Sequence, residues 1–167
     1  MRKSRTAVFI TRAAIIAALY VVLTLIFAPI SFSEVQVRIS EALTVLPYFT
    51  PAAIPGLFIG CLLANILGGA AVPDIIFGSV ATLLGALGSY ALRKNRVLVT
   101  IPPVIANTLI IPFVLRYAYG VNLPILLLML SIAVGEVISC MGLGLLLITV
   151  LKKYRHVLFP DETGAEA

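Results

Sequence analysis

The chain has 167 residues, of which 61% are hydrophobic and 11% are charged, and its mean hydropathy is +1.14. So little charge, together with apolar runs near the roughly 20 residues that cross a bilayer, excludes an ordinary soluble domain and indicates an integral membrane protein. The net charge of +5 comes from short basic clusters at 2–12, 93–96 and 152–155. In a membrane protein such clusters report orientation, so they do not indicate nucleic-acid binding.

The first apolar run predicts a membrane span at about residues 8–30. This run follows a basic start but lacks an A-x-A cleavage pattern, so we interpret it as a retained span and not as a secretory signal. Pro47, Pro51 and Pro55 interrupt the next apolar region. Because proline breaks a helix interior, that region predicts a short helix at about 40–49 and a longer one at about 52–69. Further apolar runs predict spans at about 74–92, 98–118 and 123–151, followed by a polar tail at 156–167.

The basic clusters limit the topology of this single transmembrane domain, residues 1–167. If all three clusters face the cytoplasm, an even number of spans must separate each cluster from the next. Two spans lie between the second and third clusters, and four lie between the first and second when the proline-rich region contributes two. We therefore predict an all-α integral membrane protein, a compact bundle of six transmembrane helices with both termini cytoplasmic. The second helix is too short to cross the bilayer straight, so we expect it to be buried among its neighbours.

Charged residues are rare in the predicted spans and therefore mark candidate functional positions. Glu136 lies about 13 residues into the sixth helix, near the bilayer midplane. Glu34, Arg38 and Glu41 are expected at the outer surface, at the mouth of the bundle, and Asp74 at the outer start of the fourth helix. Each has a structural alternative: Arg38 and Glu41 could form a salt bridge at a helix start capped by serine, and Asp74 could be an N-cap.

Two asparagines also fall within predicted spans, Asn65 and Asn107. Their amides either contact a ligand or form hydrogen bonds between helices, as polar residues in membrane helices often do. Small residues recur every four positions in the third helix, at Gly56, Gly60 and Ala64, and predict that helix backbones approach closely there.

Four separated segments are informative together: VQVRISEALTVLPYFTPAAIPGLFIGCLLANILGG, PDIIFGSVATLLGALGSY, IPPVIANTLI and SIAVGEVISC. They resemble the QueT family of queuosine-precursor transporters, and the resemblance runs from about residue 12 to residue 151. It implies a six-helix, multi-pass protein of the bacterial plasma membrane that binds its substrate and is not an enzyme. Members of this family are substrate-binding S components of energy-coupling factor (ECF) importers, which capture a vitamin-like molecule from outside.

The resemblance also implies partner proteins. A module of one transmembrane coupling protein and two ATPases would drive import, with membrane lipid around the bundle. S components dock on the coupling protein through an A-x-x-x-A pattern in the first helix. Here Ala13 with Ala17 and Ala14 with Ala18 match that pattern, and small side chains let a partner helix approach closely.

A queuosine precursor is a 7-deazaguanine, which presents ring N–H and amino donors beside a carbonyl acceptor. A carboxylate can accept from both donors, and an amide can donate to the carbonyl. A second carboxylate would pair with a cationic aminomethyl group. We expect Glu136 at the base edge, Glu41 and Asp74 at the other polar contacts, and the segment around Arg38 and Glu41 at the rim and gate. The predicted substrate-binding residues are Glu136, Glu41, Asp74, Asn107, Asn65, Arg38 and Tyr48, with Tyr48 or Phe49 stacking on the ring.

An alternative is a small proton-coupled carrier for a cationic or purine-like solute that uses Glu136 as a shared proton and cation site. A membrane-embedded enzyme is disfavoured because the sequence shows no nucleophile and base pair. No metal or cofactor is predicted, because the two cysteines form no ligand spacing.

Overall fold

The computed structural model describes residues 2–28 and 38–159, and within these ranges all regular secondary structure is helical. The α-helices are α1 (Arg2–Ile26), α2 (Ala53–Leu67), α3 (Val72–Ala91), α4 (Ile101–Ala118), α5 (Ile125–Lys153) and a short α6 (Arg155–Leu158). A 3₁₀ helix, Ile39–Tyr48, precedes α2, and a 3₁₀ turn, Leu98–Thr100, leads into α4. Residues Val137–Leu143 of α5 form a π-helical segment.

Four helices in the described ranges are long and apolar enough to cross a membrane: Arg5–Ile26, Val72–Ala91, Leu98–Ala118 and Ile125–Lys153. They expose large apolar side chains such as Ile26, Ile76 and Leu126, as expected for surfaces that face lipid. The all-helical membrane class is therefore confirmed. The helix α2 is equally apolar but has 15 residues, which span about 22 Å.

The 3₁₀ helix lies inside the bundle. Every residue from Ser40 to Pro47 is buried, and the neighbours of this helix include α1, α2, α3 and α5. A 3₁₀ helix rises about 2.0 Å per residue, so ten residues reach about 20 Å, further than an α-helix of the same length. Runs longer than three or four residues are uncommon in this conformation, and the surrounding helices supply the packing that holds this one.

Close backbone contact between α1 and α2 depends on glycine. A Cβ added at Gly56 would lie 2.7 Å from the Ala13 carbonyl oxygen, and one added at Gly60 would lie 3.0 Å from the Ala17 Cα. The small residues of α2 thus serve packing within the chain, where van der Waals contact drives helix association.

Part of the predicted docking stripe also packs within the chain. Ala17 is buried and Ala13 is partly exposed, and both contact α2. Ala14 and Ala18 lie on the other side of α1 and are exposed.

Candidate functional site

Four charged side chains are buried in the described part of the chain. Each is at most 4% exposed: Arg38, Glu41, Asp74 and Glu136. Their elements are the 3₁₀ helix and its first flanking residue, α3 and α5. An ionisable group costs free energy when it leaves water unless it has polar partners. The contacts of these four residues therefore define the candidate site.

Glu41 and Glu136 form a carboxyl pair at the centre of the bundle. The 3₁₀ helix carries Glu41, and Glu136 ends the first α-helical part of α5, where the π-helical segment begins. One side-chain oxygen of each acid and the Cys140 Sγ all lie within 4.8 Å of one another. Two acids from separate elements thus share one buried space.

Hydroxyl groups from two helices contact Glu41. The Tyr20 hydroxyl of α1 donates to Glu41 Oε1. The Thr82 hydroxyl of α3 lies 3.5 Å from the same oxygen, and its shorter hydrogen bond, at 3.1 Å, goes to the Gly78 carbonyl oxygen. The second oxygen, Oε2, is buried and has no hydrogen-bond partner. Glu41 therefore keeps one acceptor available in the bundle interior.

Weaker donors surround Glu136. The Cys140 thiol, one turn along α5, donates to Glu136 Oε2 at 3.1 Å. The Asn107 side chain of α4 lies beside both carboxyl groups, and its Nδ2 is buried without a hydrogen-bond partner. The neighbouring Ser139 Oγ is likewise buried and unpartnered. The carboxyl pair and its surroundings thus contain buried donors and acceptors without hydrogen-bond partners.

A second polar group surrounds Asp74 in the first turn of α3. Arg38 Nη2 lies 3.5 Å from Asp74 Oδ2, and the Tyr119 hydroxyl donates to the same oxygen at 3.0 Å. Asn65 Nδ2 of α2 donates to the Asp74 carbonyl oxygen at 3.2 Å, while Asp74 Oδ1 is buried and unpartnered. Thr82, which contacts Glu41, follows Asp74 by eight residues on α3, about 12 Å along the helix axis. The Asp74 carboxyl spans part of that distance, because its Oδ1 lies 3.0 Å from the position of a Cβ added at Gly78.

Tyr119 lies just beyond the end of α4 and links two loops. Its hydroxyl accepts a hydrogen bond from the Ala71 backbone N–H at 3.1 Å while it donates to Asp74. Partial burial and the nearby Asp74 carboxylate raise the pKa of the Tyr119 hydroxyl above its usual value near 10. The hydroxyl therefore keeps its proton, and remains a donor, at any pH near neutrality.

The observed contacts distinguish between the alternative interpretations of Asp74, Asn65 and Arg38. The N-cap interpretation of Asp74 is wrong, because Ala71 occupies the N-cap and the Asp74 side chain contacts Arg38 and Tyr119. Asn65 does form a hydrogen bond between helices, as the second interpretation of this residue predicted. The ion-pair partner of Arg38 is Asp74, across the bundle, rather than a neighbour in the same turn.

The expected outer rim is only partly observed. Placing Glu41 at the outer surface is wrong, because the 3₁₀ helix folds into the bundle and leaves its side chain fully buried. Arg38 is also buried, at the same end as Asp74. Glu34 lies outside the described residues.

The predicted aromatic contact lies elsewhere. The Tyr48 ring packs edge-on against Phe49, and the Lys152 ammonium lies 5.1 Å from its centre. Lys152 follows Glu136 by sixteen residues on α5, about 24 Å along the helix. The structure thus does not bring Tyr48 or Phe49 to the carboxyl pair.

Sequence reasoning missed four side chains of the site: Tyr20, Thr82, Tyr119 and Cys140. The proximity of Cys140 to Glu136 could have been predicted, because Cys140 lies four residues after Glu136 and side chains at that spacing share a helix face. Tyr20 carries a hydroxyl in the middle of an apolar span, where a buried tyrosine usually finds a hydrogen-bond partner.

Two cavities in the described part of the chain are apolar and separate from these acids. One, of about 340 Å³, lies between α1, the 3₁₀ helix and the end of α5, and the other, of about 460 Å³, lies between α3 and α4. Glu41, Glu136 and Cys140 are the group of described residues with the spacing to hold a metal ion. Three ligand atoms are one fewer than a structural zinc site usually provides, and the same acceptors suit the N–H groups of an organic ligand.

Comparisons with known proteins agree on one family. A family model described as QueT transporter matches residues 10–153. A curated relative, the queuosine precursor transporter QueT of Lactococcus lactis subsp. cremoris (strain MG1363), is 40% identical over 86 residues. That alignment covers 50% of this chain and 50% of the relative, so the match spans about half the length of each protein. No solved structure matches the chain.

Proposed function

The chain belongs to the QueT transporter family, and on that premise we propose that it is the substrate-binding S component of an ECF importer for a queuosine precursor. Membership of this family makes the chain a multi-pass protein of the cell membrane and a transporter rather than an enzyme. The substrate, the coupling module and the direction of capture are parts of the proposal.

The carboxyl pair at Glu41 and Glu136 is the observation that carries the proposal. A buried acceptor without a donor costs about 1–3 kcal/mol, and Glu41 Oε2 is such an acceptor. A ligand that brings N–H groups would remove that cost. A 7-deazaguanine has ring N–H and amino donors on one edge, which match carboxylate acceptors.

The second polar group suits the remaining part of a cationic precursor. Asp74 Oδ1 is buried and unpartnered, and Arg38 and Asn65 lie beside it. In our proposal an aminomethyl ammonium binds Asp74, while Asn107 reaches the base near the carboxyl pair. The two acidic groups then bind opposite ends of one ligand, which enters from the end of the bundle that contains Asp74.

The proposed topology has six membrane crossings with both termini cytoplasmic, with the 3₁₀ helix and α2 as the short second and third crossings. The basic residues at 93–96 and 152–155 then face the cytoplasm. Ala14 and Ala18 remain as the exposed small residues of α1 that a coupling-protein helix could approach. ATP hydrolysis takes place in the two ATPase chains of the module.

Calorimetric titration of the purified protein tests substrate capture. We expect saturable one-to-one binding of 7-aminomethyl-7-deazaguanine, and about 100-fold weaker binding by Glu41→Gln, because a charged hydrogen-bond partner is removed from a buried site. Thr149→Ala is the control, because Thr149 is exposed on the helix that carries Glu136. If no 7-deazaguanine binds, the proposed ligand class is wrong.

Transport assays test the coupling. Ala14→Leu with Ala18→Leu should leave binding unchanged but reduce ATP-driven uptake with the module by at least about tenfold, because bulky side chains block close helix approach. Uptake by the purified chain alone, driven by a pH gradient, would instead support the proton-coupled carrier. The observation that favours this second function is the pair of buried acids at Glu41 and Glu136.

A further inference from the structure

The buried charges of the described residues do not balance. Three buried acids, Glu41, Asp74 and Glu136, lie with one buried base, Arg38, which forms an ion pair with Asp74 at 3.5 Å. One guanidinium cannot neutralise three carboxylates, so the cluster would carry two net negative charges if every acid were ionised. Burial at this depth removes most of the hydration that stabilises such a charge, so the fully ionised cluster would be costly in free energy.

A proton bound by the carboxyl pair would reduce the net negative charge of this cluster. The side-chain oxygens of Glu41 and Glu136 lie within 4.8 Å of each other. Two carboxylates that share a site do not both ionise readily, and one proton is then held by the pair. We propose that Glu41 and Glu136 hold one proton between them and that this proton makes the site selective for a guanine-like edge, an inference that rests on the proposed function.

The contacts indicate which acid holds the proton. Glu41 accepts a hydrogen bond from the Tyr20 hydroxyl, a stronger donor than a thiol, and the Thr82 hydroxyl lies 3.5 Å from the same oxygen. Glu136 accepts from the thiol of Cys140, and a thiol is a weak donor. Hydrogen bonds from stronger donors stabilise the ionised form of a carboxyl group. The charge therefore resides on Glu41 and the proton on Glu136.

Titratable groups approach the pair from several elements. From α3 and α4 the pair meets Thr82 and Asn107, which do not titrate. Among the described residues, the titratable groups that face the pair are Tyr20 of α1, Arg38 before the 3₁₀ helix, Cys61 of α2 and Cys140 of α5, with Asp74 beyond Arg38. Within the part of the chain that the structure describes, Arg38 is the cation of this group. It acts on Glu41, Glu136 and Asp74 together, so its single positive charge offsets only part of their negative charge, and a proton on the carboxyl pair offsets more of it.

One ionised and one neutral acid match the hydrogen-bond pattern of guanine. The ionised Glu41 accepts from the ring N–H and the exocyclic amine, while the protonated Glu136 donates to the adjacent carbonyl oxygen. An adenine edge has the opposite order, an amino donor beside a ring acceptor. Asn107 Nδ2 is a further donor beside the pair, but an ionised Glu136 would repel the guanine carbonyl oxygen, whereas a protonated Glu136 donates to it. The proton on Glu136 therefore provides the selectivity.

Isosteric variants test this assignment, with neutral 7-deazaguanine as the probe in calorimetric titrations between pH 5.5 and 9.5. Glutamine can replace a protonated acid because its amide also donates. We therefore expect Glu136→Gln to bind within about threefold of the unmodified protein at pH 5.5. Glu41→Gln should bind about 100-fold more weakly at every pH, because the charged acceptor is lost.

The pH profile separates this role from a structural one. Binding by the unmodified protein should weaken on the alkaline side, by up to about tenfold for each pH unit once the pair has lost its proton. Glu136→Gln should show no such decline, because an amide does not titrate in this range. Size-exclusion elution and thermal unfolding verify that both variants fold, and Thr149→Ala should reproduce the unmodified profile.

Two outcomes would overturn the inference while the proposed function stands. Glu136→Gln could bind as weakly as Glu41→Gln, or Glu136→Gln and the unmodified protein could share one pH profile. Failure of the unmodified protein to bind 7-deazaguanine or its aminomethyl derivative at any pH would instead overturn the proposed function. Binding of adenine as tightly as 7-deazaguanine would overturn the assigned selectivity.

Discussion

Tyr20 is a single polar side chain in an otherwise apolar stretch of α1, and it contacts the centre of the site. It is 1% exposed, and its hydroxyl donates to Glu41. The Tyr20 ring packs in the apolar core with Leu57 and Cys61. The ring therefore stabilises the fold, while the hydroxyl contacts the carboxyl pair. The neutral Tyr20 hydroxyl can thus orient the Glu41 carboxylate without adding a charge to the bundle interior.

We predict that Tyr20→Phe weakens binding of 7-aminomethyl-7-deazaguanine by about tenfold, because one hydrogen bond to a charged group contributes roughly 1.5–3 kcal/mol. The phenylalanine ring preserves the packing, so the protein should still fold. Calorimetric titration checks the affinity. Tyr154→Phe is the control, because Tyr154 is half-exposed near the end of the chain; if both variants bind equally, Tyr20 does not act on the site.

Tyr119 allows a prediction about pH. Its pKa is raised in the folded protein by burial and by Asp74, so the unfolded chain releases this proton first as the pH increases. Tyr119 therefore stabilises the folded protein below about pH 10. This contribution to the free energy of unfolding is lost as the pH rises further.

The difference in ultraviolet absorbance between the unmodified protein and Tyr119→Phe isolates this titration. We expect the absorbance of one tyrosinate to appear above pH 10, later than in a denatured sample, and a smaller alkaline loss of thermal stability in the variant. A titration at or below the denatured value would show that the contact with Asp74 is absent in solution.

The residues of the site were predictable to different degrees. Glu136 and Asn107 could be predicted because a charged or amide side chain within a long apolar run has few structural explanations. The depth of Glu41 could not, because spacing along the chain does not show whether a segment rich in proline crosses the outer surface or folds inward. The pairing of Arg38 with Asp74 depends on the approach of residues that are 36 positions apart.

At the scale of helices, α1 and α2 form one closely packed unit. Gly60 approaches Tyr20 and Ala17, and an added Cβ would lie 2.8 Å from the Tyr20 Cβ. This contact sets the position of the Tyr20 ring, and through its hydroxyl the position of Glu41. The packing of two helices thus determines the geometry of the site.

We predict that Gly60→Leu destabilises the protein and abolishes ligand binding, because overpacking usually costs about 1–3 kcal/mol and the neighbour here includes backbone. Thermal unfolding in detergent and calorimetric titration provide the two measurements. Gly142→Leu is the matched control, since a Cβ at Gly142 meets no atom closer than 3.9 Å. Equal stability of the two variants would contradict the observed packing.

Helix positions could be predicted closely, but helix types could not. Apolar runs and prolines indicated helices near 40–49 and 52–69, and the structure has helices at Ile39–Tyr48 and Ala53–Leu67. The 3₁₀ and π-helical conformations depend on packing against neighbours, which hydrophobic periodicity does not contain. Both conformations occur at the carboxyl pair, because Glu41 lies in one and Cys140 in the other.

The topology of the whole molecule leads to a labelling prediction. In the proposed arrangement the loop after α4 faces outward and the loop after α3 faces the cytoplasm, so Asn122→Cys and Asn95→Cys lie on opposite sides. Both positions are exposed. The natural cysteines, Cys61 and Cys140, are buried and should give little background.

A membrane-impermeant maleimide applied to intact cells should label Asn122→Cys and leave Asn95→Cys unlabelled until the membrane is opened. The reverse pattern would invert the proposed orientation and place Asp74 at the cytoplasmic end. Labelling of both positions in intact cells would place both loops on the outer side. The chain between them could then not cross the membrane an odd number of times.

The buried 3₁₀ helix has a consequence for how the protein is made. A ten-residue segment that contains Glu41 and Pro47 is too short and too polar to enter lipid by itself. Its neighbours include α5, which the ribosome completes last among the long helices of the described residues. Insertion during synthesis can therefore place α1, α3 and α4, but the interior segment acquires its final surroundings only after translation has passed Cys140. Assembly of the binding site is in this sense the final step of biogenesis.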